Sequence, residues 1–221
     1  MRRHVLLLLA FLTIATDLSA ETFAARCAAT ADQGNVAACE RAIAENPADD
    51  LSRRNLGRAF LAVGDGGMSI MIYRDLLTRH PDDWTLHFDL AVATTAAMRY
   101  RDAVEPALTA LRLHPGDEPA LKIARIALQM SGRHADAVAV LEELATHDDV
   151  TAMFDLGDAY EFGQGVEKAP ARAVDWYRRA GEAGHGGAAA RLADAYLNGE
   201  LGLAADPAQA ELWAKRATAA D

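Results

Sequence analysis

The sequence predicts an all-α fold, and both its composition and its internal spacing point that way. Alanine occurs 49 times in the 221 residues, whereas valine and isoleucine together occur 16 times. Because alanine is the best helix former and β-branched residues favour strands, this balance favours helices. Proline recurs every 34 residues, at Pro47, Pro81 and Pro115, and Asp149 occupies the next position. That period is typical of stacked helical hairpins, so we expect an α-solenoid of antiparallel helix pairs.

Charge and composition exclude several classes of protein. The chain is 51% apolar, carries a formal net charge of −10, and contains 16 Gly, 7 Pro and 2 Cys. These values do not fit collagen-like, disordered, disulfide-dense or multi-span membrane proteins. An acidic chain without a basic run also argues against a nucleic-acid partner, which would select clustered lysine and arginine.

Residues 1–20 have the features of a Sec-type secretory signal peptide. Arg2 and Arg3 precede an apolar run of 11 residues, which is too short for the roughly 20 residues of a membrane span. Small residues follow, so cleavage is predicted after Ala20 and the mature protein is expected in the periplasm or outside the cell. Removal of residues 1–20, which contain Arg2, Arg3 and Asp17, leaves 20 basic and 31 acidic side chains, a net charge of −11. The alternative is an N-terminal core helix.

Two cysteines follow in residues 21–48, where residues 24–31 and 36–43 are predicted to form a short helical hairpin. An even number of cysteines in an exported protein favours a disulfide, here between Cys27 and Cys39. A redox pair normally has closer spacing, and no histidine lies between them to complete a zinc site. A structural disulfide is therefore the preferred interpretation, in a hairpin that forms a degenerate first repeat.

Residues 50–149 contain three units that share one pattern, with small residues where two helices cross closely and larger apolar residues between units. The first unit has Leu56-Gly57, Phe60, Tyr73 and Pro81, the second Leu90-Ala91, Thr94, Ala107 and Pro115, and the third Ala124-Arg125, Leu128, Ala137 and Leu144. This pattern resembles the tetratricopeptide repeat, which implies a right-handed solenoid. Three positions depart from it: Arg125 and Ser69 replace small residues, and Pro106 predicts a helix that begins close to Asp102.

Residues 150–221 contain two units with a longer period. Leu156-Gly157 and Tyr160 recur 36 residues later as Leu192-Ala193 and Tyr196, and Trp176 recurs 37 residues later as Trp213. Glycine-bearing loops lie between the helices of each unit. The pattern resembles the SEL-one-like repeat, a relative of the tetratricopeptide repeat. Asp206-Pro207 is predicted to cap the last helix, whereas Ala169-Pro170 lacks a capping side chain.

No group of residues predicts catalysis, a metal site or a cofactor. His80 and His114 occupy equivalent repeat positions, which a solenoid separates by about 10 Å, too far for ligands of one metal ion. The paired aspartates before first helices, such as Asp49-Asp50 and Asp148-Asp149, are predicted to cap those helices. The aromatic residues of the last two units are predicted to pack in the core, the alternative being a sugar or peptide platform.

The tetratricopeptide resemblance implies a concave groove, lined by the first helix of each unit, that binds a protein or peptide. By position the lining residues are Arg54, Arg58, Leu61, Phe88, Val92, Thr95, Lys122, Ile126 and Gln129. This apolar strip with three cations suits a peptide whose carboxylates flank apolar anchors. The two-carboxylate clamp of chaperone-binding relatives is absent, since Asp89, Pro119 and Ile123 stand at its positions. Alternatively the groove faces solvent or packs on the N-terminal hairpin.

Three functional hypotheses follow. The first is a non-catalytic periplasmic scaffold or adaptor that binds a protein or peptide, as an envelope regulator or assembly factor. The second is a cell-wall-associated or β-lactam-binding enzyme, as some cysteine-rich SEL-one-like relatives suggest, although those carry a cysteine pair in most repeats. The third is a permanent subunit of an envelope complex.

Overall fold

A computed structural model describes residues 22–219, which contain twelve α-helices and, in the described part of the chain, no strand. The all-α prediction is confirmed. The helices are α1 (Phe23–Thr30), α2 (Val36–Glu45), α3 (Asp50–Ala62), α4 (Gly66–Arg79), α5 (Trp84–Ala96), α6 (Tyr100–Leu113), α7 (Glu118–Ser131), α8 (His134–Thr146), α9 (Val150–Phe162), α10 (Pro170–Glu182), α11 (Gly186–Asn198) and α12 (Pro207–Ala219). The predicted signal peptide lies outside the described residues.

The chain divides into two compact units, of which the first ends at Arg79. In this unit α1 and α2 form the expected hairpin around a disulfide between Cys27 and Cys39. Both cysteines are fully buried and pack with Ala38, Ala42 and Ala59. The disulfide thus lies in the small apolar core between the hairpin and α3.

The second unit runs from His80 and contains α5 to α12, each helix packing against the next. Its core consists of small residues from the helix crossings and larger side chains between them. Gly157 on α9 lies against the Tyr177 ring on α10, and Gly181 on α10 lies against Trp213 on α12. In the first unit Gly57 has the same relation to Tyr73, where an added Cβ would approach the ring to 2.7 Å. These glycines let helices cross closely enough to bury aromatic rings.

Members of the aspartate pairs cap first helices, as the sequence predicts, and Asp117, which belongs to no such pair, does the same. The carboxylates of Asp49, Asp83, Asp117 and Asp149 accept hydrogen bonds from backbone N–H groups in the first turns of α3, α5, α7 and α9. Asp206 does the same for α12, whereas α10 begins at Pro170 without a side-chain cap. Each cap satisfies a backbone donor that has no partner within its helix.

The prediction that the helix containing Pro106 begins close to Asp102 is confirmed to within two residues. The helix α6 begins at Tyr100, two residues before Asp102, so that Pro106 lies inside it. Proline lacks the N–H that would bond to the carbonyl four residues earlier, and this costs stability but does not end the helix here. Its buried face, with Ala103, Val104 and Ala107, outweighs that loss.

Candidate binding surfaces

The predicted groove residues fall into both units, and each set is described within its own unit. Arg54, Arg58 and Leu61 lie on α3 of the first unit. Arg58 is exposed and donates two hydrogen bonds to the Asp32 carboxylate, at 2.9 Å from Nε and 2.5 Å from Nη2. The Arg58 side chain therefore ties α3 to the short turn between α1 and α2.

The other six predicted residues lie on two helices that contact each other, α5 and α7. We call this set the first-helix surface: Phe88, Val92, Thr95, Lys122, Ile126 and Gln129. Five of the six are partly buried and Lys122 is exposed. The surface therefore offers apolar and polar groups that are partly covered by the protein but still reach solvent.

Lys122, the positively charged residue of the first-helix surface, contacts two carboxylates of the second unit. Lys122 Nζ lies 2.6 Å from Glu118 Oε1 and 3.7 Å from Asp149 Oδ2. The hydrogen bond to Glu118 raises the pKa of Lys122, and the Glu118 and Asp149 charges add to that effect. Lys122 therefore stays charged, although part of its charge is neutralised within the protein.

Arg125, one of the departures from the repeat pattern, has a partner on the next first helix. Its Nη1 donates to Asp155 Oδ2 at 2.8 Å, and the Gln129 side-chain amide donates to the same oxygen at 3.0 Å. All three side chains are partly buried. Thus Gln129, a predicted groove residue, is engaged in an internal bond between α7 and α9.

A buried hydrogen-bond network that the sequence did not predict links α9, α10 and α11. The Tyr177 hydroxyl lies 2.7 Å from Asp158 Oδ1 and 2.7 Å from Glu161 Oε2. Arg191 on α11 binds both Glu161 oxygens and also pairs with Glu200 at 2.8 Å. Glu161 is only 7% exposed, so Arg191 compensates a carboxylate that water barely reaches.

The two carboxylates in this network differ in acidity. Burial raises the pKa of Asp158, whereas hydrogen bonds from Arg191 and Tyr177 outweigh burial and lower the pKa of Glu161. A phenol has one hydrogen and cannot donate to two carboxylates at once. The Tyr177 hydroxyl can therefore donate fully to only one of the two carboxylates at a time, and the raised pKa of Asp158 favours protonation of that carboxyl over protonation of Glu161.

Two of the histidines, His114 and His185, stack on aromatic rings. His185 caps α11 by accepting from Ala188 N–H and stacks on Phe154, with ring centroids 4.5 Å apart. His114 stacks on Trp84 at 4.3 Å. Within residues 22–219 no three histidine, cysteine, aspartate or glutamate side chains are grouped as a metal ion would require. None of the helices in those residues combines the length and the apolar character that a membrane span requires.

Comparison with known families identifies the last two repeats. The Sel1 repeat family matches residues 150–185 and 187–221, the two units predicted to be SEL-one-like. No protein of curated function matches the sequence.

Solved structures show the same fold in other repeat proteins. YrrB, described as a TPR protein with an unusual peptide-binding site, is 17% identical with a TM-score of 0.64, covering 84% of this chain and 93% of YrrB. MamA from Desulfovibrio magneticus RS-1 is 18% identical with a TM-score of 0.61, covering 77% and 94%. A Sel1 repeat protein from Oxalobacter formigenes is 21% identical with a TM-score of 0.51, covering 96% and 94%.

The fold is thus that of the helical repeat proteins, a class whose members typically serve as protein-interaction scaffolds. Residues 150–221 carry two Sel1 repeats, and the fold of the chain is the one found in TPR and Sel1-like repeat proteins. The predicted resemblance to both repeat types is confirmed.

Proposed function

We propose that this protein is a non-catalytic scaffold that binds a protein or peptide through the first-helix surface of its second unit. The observation that carries the proposal is the position of Phe88, Val92 and Ile126, which are partly exposed on the adjoining helices α5 and α7. Apolar side chains that are packed at their base lose little conformational freedom when a partner covers them. They therefore suit the role of anchors in an interface.

The charges around these residues define the partner's chemistry. Lys122 stays charged beside Ile126, and Arg125 lies one position before it, although both already contact carboxylates of this chain. A peptide with apolar anchors and one or two flanking carboxylates would complement this surface. YrrB, which shares the fold, is described as having a peptide-binding site, and this likeness supports the proposal.

Capture experiments with single charged substitutions test the proposal. Val92→Glu and Ile126→Glu each place a carboxylate among the proposed anchors, where it would be desolvated by a bound partner. We expect each variant to lose at least tenfold in affinity for a partner captured from the native envelope fraction. The matched control is Ala214→Glu, at an exposed position on α12, which is the second helix of the last repeat.

Circular dichroism of each variant must match the parent, because the positions are partly exposed and should tolerate the change. Equal capture by the parent, Val92→Glu and Ile126→Glu would contradict the proposed surface. Arg58 is a poor position for this test, since reversing its charge would also repel Asp32.

We further propose that the protein acts in the periplasm, after the signal peptide is cleaved between Ala20 and Glu21. Arg2, Arg3 and the short apolar run support export, and a disulfide between Cys27 and Cys39 suits an oxidising compartment. Mass spectrometry of protein recovered from a periplasmic extract should show a chain that begins at Glu21. Recovery of the full-length chain in the cytoplasm alone would contradict this proposal.

Two assays separate the proposal from its alternatives. A partner that dissociates on dilution favours an adaptor, whereas a stoichiometric complex that survives purification favours a permanent subunit. Hydrolysis of nitrocefin or another β-lactam by the purified protein would contradict the scaffold proposal and favour an enzyme.

A further inference from the structure

A second surface, distinct from the first-helix surface, has the chemistry of a carboxylate-binding site. A cleft of about 340 Å³ opens between α8, α9 and α10. Its lining residues are Glu142, Tyr160, Arg172, Asp175, Trp176 and Arg179. We propose that this cleft, called the arginine cleft below, binds an acidic peptide segment of a protein partner through Arg172 and Arg179.

Each of the two arginines is held by an aromatic ring. Arg179 Cζ lies 4.3 Å from the centroid of the Trp176 ring. Arg172 Cζ lies 5.2 Å from the centroid of the Tyr160 ring, and Arg172 Nη1 donates to the Tyr160 hydroxyl at 3.2 Å. A guanidinium stacked on a ring keeps its remaining N–H groups directed outward in its own plane, where they can bind a carboxylate.

The rings themselves are fixed by the core. Tyr160 is 7% exposed and belongs to the buried cluster of the second unit, and Trp176 packs against that cluster. Stacking on fixed rings restricts the two arginines before any ligand arrives. A preorganised donor costs less conformational entropy on binding than a freely moving side chain does.

Neither arginine has an ion pair in the described part of the chain, although the protein is acidic. This contrasts with Arg178 on the same helix, which pairs with Asp175 at 3.2 Å, and with Arg191, which binds two glutamates. Arg178 therefore offsets the Asp175 charge at the edge of the cleft. The one other carboxylate of the lining, Glu142, is exposed and opposes an anion.

The spacing of the two arginines indicates the ligand. They are seven residues apart on α10, hence on the same helix face and separated by about 10 Å along the axis. A peptide in the polyproline II conformation rises about 3.1 Å per residue with three residues per turn, so its residues i and i+3 lie on one face about 9 Å apart. The arginine cleft therefore suits two carboxylates about three residues apart, each facing one guanidinium.

Fluorescence anisotropy with synthetic peptides tests this assignment. The probes are labelled six- to eight-residue peptides that carry two glutamates separated by two, three or four positions, and a control series has glutamine at both positions. We expect the glutamate peptides to bind, with weakening as salt is added. Because the protein is acidic overall, attraction of these peptides would reflect a local site.

Matched variants locate the site. The double variant Arg172→Gln and Arg179→Gln should weaken binding at least tenfold, whereas Arg101→Gln and Arg112→Gln remove the same charge from α6 and should change it less than twofold. Arg179→Lys keeps the charge but loses the planar group, and we expect intermediate affinity. Glu142→Gln should strengthen binding. Circular dichroism confirms that each variant is folded.

Several results would overturn the assignment: no binding by any glutamate peptide, equal binding of the glutamine series, or equal losses in the α10 and α6 double variants. Preference for an anionic polysaccharide over every peptide would overturn the peptide assignment as well. Because the test uses no residue of α5 or α7, its outcome is independent of the proposed first-helix surface.

Discussion

The ring of Tyr177 lies against the backbone of Gly157, so close that any side chain at position 157 would overlap it. The same ring carries the hydroxyl that bonds to Asp158 and Glu161. One tyrosine therefore sets both the distance between α9 and α10 and the position of the buried carboxylates.

Gly157→Ala tests the close helix crossing. The added methyl group must displace the Tyr177 ring or separate the helices, and we expect a loss of about 1–3 kcal/mol in the free energy of unfolding. Thermal and urea unfolding measure it. Gly67→Ala on α4 is the control, since no atom lies closer than 3.4 Å to its added Cβ and alanine is the better helix former. A stability loss at Gly67 as large as at Gly157 would contradict the crossing argument.

Asp158→Asn tests the proton in the network. The pKa of Asp158 is higher in the folded than in the unfolded state, so protonation of this carboxyl stabilises the folded state. This stabilisation is fully present below the unfolded pKa and is lost as pH rises through the folded pKa. The variant lacks this titration. We therefore expect its stability relative to the parent to increase as pH rises from about 4, at most by about 1.4 kcal/mol per pH unit.

The measurement is urea unfolding of parent and variant at matched pH values. Comparing the two removes the opposite effect of Glu161, whose lowered pKa makes its contribution disappear as pH falls through the folded pKa. A stability difference that stays constant with pH would show that Asp158 does not hold the additional proton.

Arg191→Gln tests the compensation of Glu161. Removing the guanidinium leaves a nearly buried carboxylate with fewer donors, and we expect a loss of about 2–4 kcal/mol. The double variant with Glu161→Gln should recover much of this loss, because no buried charge remains. Denaturant unfolding gives all four values of the cycle, and strictly additive losses would argue against coupling.

Replacement of both cysteines by alanine tests the role of the disulfide. A loop with a sequence separation of 12 corresponds to about 2–3 kcal/mol on the chain-entropy model. We expect faster proteolysis and hydrogen exchange in α1 and α2, while α9 to α12 of the second unit serve as the internal reference. Unchanged exchange in α1 and α2 would mean that packing alone holds the hairpin.

The repeat architecture could be predicted because each helix pair carries its own local signals. Asp49 and Asp149 precede their helices directly, and Gly57 and Gly157 recur at the helix crossings. These features depend on neighbours within one unit. The start of α6 lies two residues before Asp102, because burial of one helix face outweighs the local effect of a proline.

The polar networks could not be predicted in the same way. Arg125 and Asp155 are 30 residues apart, as are Glu161 and Arg191, and they meet through the packing of successive repeats. The departure of Arg125 from a small residue was the available signal, and its explanation required the position of the next helix. The arginine cleft depends on side-chain stacking, which sequence spacing does not specify.

Site-specific photo-crosslinking in the native envelope tests the central claim most directly. A photoreactive amino acid at Val92 or Ile126 should crosslink a protein partner, whereas the same group at Ala214 should not crosslink that partner. Crosslinking of the same partner at Ala214 with equal yield, or no crosslink at either first-helix position, would contradict the scaffold account.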